Sequence, residues 1–72
     1  MTNRVWIQLP KTEGAAKYFL FTFDVLEIPY KNCGGMGGKL LLHIDDDNIE
    51  DLRKIAEIKG YKICEIEQIP GS

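Results

Sequence analysis

The chain has 72 residues, 44% hydrophobic and 28% charged, with nine Lys and Arg against eleven Asp and Glu for a formal net charge of −2. That length suffices for a single α+β-sized domain, residues 1–72, and the balance argues against disorder. The cations are scattered, which disfavours nucleic acid, and no apolar run approaches the roughly 18 residues a membrane span needs.

Met1-Thr2-Asn3-Arg4 leads straight into a strand-like stretch, with no apolar signal core, so the expected location is the cytoplasm. Two cysteines in that setting are expected as free thiols; a Cys33–Cys64 bridge is the alternative. A chain this short buries only about 60% of the surface its unfolded form exposes. A compact two-layer core or a homodimer would compensate.

Arg4 to Leu9 reads as a first strand, rich in β-branched and aromatic residues and ended by Pro10. Residues 11–28 carry two periodicities. Ala15, Ala16, Phe19, Leu20 and Phe23 share a helical stripe, with Thr12 placed as N-cap. Phe19, Phe21, Phe23 and Val25 would share one strand face. The favoured reading is a helix over about 12–22 followed by a strand over 24–28; the alternative is strand throughout 17–28.

Asn32 to Gly38 is expected to be a loop, because four glycines fall within Gly34 to Gly38. Lys39 to Ile44 reads as a strand with a near-continuous apolar run, hence central in its sheet. Asp47-Asn48-Ile49-Glu50 has the form of a capping box for a second helix. Its apolar stripe is Ile49, Leu52, Ile55 and Ala56, Glu50 faces Lys54 four residues on, and Gly60 is placed for a left-handed C-cap. Tyr61 to about Ile69 is the last strand. The expected fold is therefore two-layer α+β, with helices on one face of a mainly antiparallel sheet. The order is βαββαβ and ferredoxin-like, or βββαβ if 17–28 is strand.

Cys33 is the sharpest chemical feature. Backbone N–H groups in a glycine-rich turn can form an anion-binding concavity, and positive potential near a thiol favours the reactive thiolate. Cys33 is thus the candidate catalytic thiol. Gly34, Gly35, Met36, Gly37 and Gly38 would form the binding loop, with Lys31 and Lys39 flanking it. The glycines do not make a phosphate loop of the Walker type, since no Lys-Ser/Thr follows and the segment precedes a strand. No cofactor is implied. His43 with Asp45, Asp46 and Asp47 is better explained as a strand end followed by a helix cap than as a metal site. Cys64, mid-strand beside Ile63 and Ile66, reads as a buried structural thiol, and Trp6, Phe19 and Phe23 as core.

The sequence resembles the short bacterial selenium/sulfur carrier-like proteins. The likeness rests on the opening strand, a helix near Thr12 with Ala15 and Ala16, and the Ile28-Pro29 step. The Cys33-Gly34 pair, the Asp-rich start of the second helix and the closing strand from Tyr61 to Ile66 complete it. It implies a cytoplasmic carrier in which Cys33 accepts sulfur or selenium from a cysteine desulfurase and hands it to an acceptor protein. Only Cys33 and Gly34 carry over; the aromatic-rich first helix and the extra glycines Gly35, Gly37 and Gly38 depart from the pattern. A non-catalytic interaction module or small regulator is the alternative, with Tyr18, Phe21 and Tyr30 as contact candidates. A domain binding a small anion at the glycine loop is a third.

Overall fold

In the computed structural model, which describes residues 1–70, six regular elements follow one another. They are β1 (Thr2–Gln8), α1 (Ala15–Val25), β2 (Lys31–Met36), β3 (Lys39–Asp45), α2 (Ile49–Lys59) and β4 (Lys62–Gln68). The strands form one sheet in the order β2-β3-β1-β4, with every neighbouring pair antiparallel. β1 and β2 therefore run parallel with β3 between them, and β3 and β4 straddle β1 in the same way.

Strand alternation sorts the side chains by face. Asn3, Val5 and Ile7 of β1 and Leu40, Leu42 and Ile44 of β3 are buried. They meet Phe19, Leu20 and Phe23 of α1 and Leu52, Ile55 and Ala56 of α2, the apolar residues forming one cluster. Both helices thus cover the same side of the sheet, giving the two-layer α+β arrangement expected. The other side carries Arg4, Trp6, Leu41 and His43, and no element among the described residues covers it. Trp6 is accordingly half-buried on this open face and is not part of the core.

Residues 12–28 differ from both sequence expectations. The helix starts at Ala15, after Gly14 in a left-handed conformation (φ 76°), so Thr12 is not its cap. It continues to Val25, and Asp24 to Ile28 form no strand. The stripe of Ala15, Phe19, Leu20 and Phe23 decides this, because it fills the core as a helix does. A strand would have buried Phe21 and Val25 beside Phe19 and Phe23, yet both lie exposed. The helix ends by a 6→1 bond, the Ile28 N–H donating to the Phe23 carbonyl (2.9 Å), with Glu27 at φ 57°.

The start of the second helix also departs from expectation. Asp46–Asn48 form a 3-10 turn, and α2 begins at Ile49 with Asn48 at the cap position and no side-chain cap bond. The expected Asp47 capping box is absent because Asp46 ties the turn to β1 instead. Its carboxylate accepts from the amide of buried Asn3 (2.6 Å) and lies 3.7 Å from the N-terminal ammonium. The Asn3 amide holds the Asp46 carboxyl below its usual range; desolvation opposes this and the ammonium assists it. Glu50 meets Arg53 at 3.9 Å, where the spacing pointed to Lys54. Gly60 does cap α2 in the left-handed region (φ 77°). Tyr61 then stacks on Phe19 (4.7 Å between ring centroids) and donates to the Ala15 carbonyl (3.0 Å), joining the two helical segments. Among the described residues, no helix is long and apolar enough to cross a membrane.

Candidate functional site

The glycine-rich segment expected as a loop is mostly a strand. Lys31, Cys33, Gly34, Gly35 and Met36 lie in β2, Gly37 and Gly38 form the turn, and Lys39 opens β3. Two features make a strand of this composition possible. Gly37 and Gly38, at φ 62° and 78°, supply the positive dihedrals that a two-residue hairpin turn of the primed kind requires. Gly35 lets the backbones approach, since a Cβ there would collide with the Lys39 carbonyl oxygen.

Cys33 and Gly34 together oppose Leu41, forming a bulge between the Asn32–Leu42 and Gly35–Leu40 pairs. The Cys33 thiol is half-buried, with Sγ 3.8 Å from the Lys31 carbonyl as a weak donor. The Gly34 N–H donates to the Asn32 side-chain oxygen (2.9 Å), so one amide that an anion cradle would use is already occupied. Lys31 pairs with His43 and Met36 with Lys39, which sets the two lysines at opposite ends of the hairpin. Those positions are four steps apart along β3, about 14 Å. The predicted residues are therefore split along the β2-β3 hairpin: Met36, Gly37 and Lys39 gather at its turn, beside a hollow on the sheet, whereas Lys31 lies at the far end.

Cys64 is exposed, contrary to the buried role expected of it. It occupies a second bulge, where β4 shifts register opposite Trp6 and Ile7. An open hollow of about 500 Å³ on the uncovered face is lined by Trp6, Met36, Gly37, Lys39, Cys64 and Glu65. Both thiols are free, and they lie on opposite edge strands with β3 and β1 between them. That is about 14 Å across the sheet, beyond the ~7 Å between Cα atoms that a disulfide spans. Of the group around His43, Asp45 accepts from the Thr2 hydroxyl (3.4 Å) and Asp46 from Asn3, so the aspartates serve the strand-to-helix junction. Among the described residues, no group of three or more His, Cys, Asp or Glu could hold a metal ion.

The strongest departure from an ordinary surface lies on α1. Tyr18, Phe21, Val25 and Leu26 are 65%, 62%, 61% and 57% exposed; the first three stand at i, i+3 and i+7 along the outer side of α1, and Leu26 is its C-cap. α1 therefore shows large apolar side chains to solvent, flanked by exposed Lys17 and Asp24, as well as to the core. The aromatic content of Tyr18 to Phe23 pointed to Tyr18 and Phe21; Val25 and Leu26 were missed because they were assigned to a strand. Tyr30 belongs elsewhere. Its ring packs edge-on against Phe23 (5.7 Å) and its hydroxyl donates to Asp24 (3.0 Å). Desolvation, then the Asp24 carboxylate, raises the Tyr30 pKa above its ordinary value. No family model, curated protein or solved structure matches this chain.

Proposed function

We propose that this chain is a non-catalytic protein-interaction module that docks a partner protein on the outer face of α1. The observation behind this reading is the exposed stripe of Tyr18, Phe21, Val25 and Leu26. Exposed large apolar side chains on a helix whose other face already fills the core mark a surface available to a partner, and aromatics among them suit an interface core. The partner would offer an apolar groove or a second amphipathic helix, read through anchors at i, i+3 and i+7. Phe21→Glu should abolish capture of that partner while leaving the melting temperature unchanged, and Cys33→Ser should bind as wild type does. If Phe21→Glu and Tyr18→Glu both bind as wild type does, α1 is not the docking face.

A second reading keeps the sulfur or selenium carrier, with a cysteine desulfurase and an acceptor protein as partners in the cytoplasm. Its support is a free thiol at Cys33 in a strand bulge at the sheet edge. The strand order β2-β3-β1-β4 with its split βαβ units also favours a ferredoxin-like assignment for the fold. The carrier reading requires persulfide loading that survives Cys64→Ser and is lost in Cys33→Ser.

A further inference from the structure

The two edges of the sheet differ in kind. β2 is glycine-rich and offers a pairing strand few side chains to pack, and both edge strands carry a bulge, at Cys33-Gly34 in β2 and at Cys64 in β4. β4 is seven residues long, and Ile63 and Ile66 sit half-buried at its core-facing side. Ile63 pairs with Ile7 and Ile66 with Val5, so these two isoleucines have ordinary two-residue spacing although the bulge places two residues between them. Lys62 pairs with Gln8, Glu65 with Trp6 and Glu67 with Arg4, which puts all three on the open face. The Ile69 N–H donates to the Thr2 carbonyl of β1. By alternation the backbone groups of Glu67 point the same way and those of Ile66 point outward, away from β1.

Lys62-Ile63-Cys64-Glu65-Ile66-Glu67 is complementary to itself when reversed. In an antiparallel two-fold pairing centred between Cys64 and Glu65, Lys62 stands opposite Glu67 of a second copy, Ile63 opposite Ile66, and Cys64 opposite Glu65. Every pair then matches in face, the isoleucines towards the helix layer and the rest towards the open face. The ends pair by opposite charge, twice over by symmetry. We infer that β4 is a homodimerisation edge, joining two copies into a continuous eight-stranded antiparallel sheet with all four helices on one side. The occupant is a second copy because charge, apolar match and register all close on the same strand. The contact is small, below the ~1,200 Å² typical of stable complexes, so the dimer is weak and concentration-dependent. This inference uses no residue of the α1 docking face and stands apart from that reading.

Sedimentation equilibrium of the full chain over a concentration series tests it. Wild type should self-associate as a dimer. Lys62→Glu and Glu67→Lys should each weaken the dimer by about tenfold, since each turns two attractive pairs into repulsive ones. The combined Lys62→Glu, Glu67→Lys chain should recover wild-type association. The Ile66 amide should exchange more slowly as concentration rises, and Phe21→Glu should leave the dimer intact. A wild type monomeric at millimolar concentration overturns the inference. So does a double swap as weak as the single ones, or a dimer lost only in Phe21→Glu.

Discussion

The two helices end by the same hydrogen bond and differ in almost everything else. In α1 the Ile28 N–H reaches back to Phe23, and in α2 the Tyr61 N–H reaches back to Ala56. At the left-handed position between, α2 has Gly60 and α1 has Glu27. α2 is polar on its outward side apart from Ile58, whereas α1 shows three large apolar residues to solvent and Leu26 follows at its C-cap. Equal helix length, eleven residues each, therefore goes with different roles. α2 closes the core and faces water with charge, whereas α1 closes the core with one face and keeps the other available.

The comparison can be sharpened by substitution, beginning with the core faces. Phe23→Ala should cost about 3–5 kcal/mol and Leu52→Ala about 2–5 kcal/mol in chemical denaturation, because both side chains are fully buried. Similar losses would establish that the two helices contribute alike on the inside. A loss under about 1 kcal/mol at either would mean that helix is not packed as described.

The caps come next. Gly60→Ala should destabilise by about 1 kcal/mol, since a Cβ is penalised in the left-handed region although the space around it is open. Glu27→Gly should do the reverse and stabilise by up to about 1 kcal/mol. If both substitutions are neutral in thermal denaturation, the shared ending is not holding either helix.

The smallest effect concerns how the helices begin. α1 starts without a side-chain cap, while the turn before α2 is tied to Asn3 through Asp46. A carboxylate with a depressed folded-state pKa stabilises above its unfolded value, and that contribution is lost as pH falls through the folded value. The stability advantage of wild type over Asp46→Ala should therefore be constant at neutral pH and narrow once pH drops below 3.8. An advantage that widens with acidification would contradict the Asn3–Asp46 account.

The helix stripes were legible because buried positions 19, 20 and 23, and 52, 55 and 56, follow a 3.6-residue period that needs no knowledge of the rest of the chain. The third strand and Gly60 were legible for similarly local reasons. The end of α1 was not, because Glu27 occupies a position where sequence rules look for glycine. The glycine segment was misread because its tolerance for strand geometry depends on β3 lying alongside: Gly35 is required by the closeness of the Lys39 carbonyl. Cys64 and Trp6 were misread for a related reason. Which face of a sheet is covered depends on where the helices cross, and a bulge in β4 turns Cys64 outward.

Apolar periodicity, β-branched runs and turn residues by themselves determined that this chain alternates strands and helices around one apolar core. These are local preferences, expressed within a few residues. Only the tertiary structure decided which side of the sheet stays open, that Cys33 lies in an edge strand, and that α1 shows large apolar side chains to solvent. Those outcomes depend on backbone approach, register and helix placement between segments distant in sequence, and short-range chemistry does not encode them.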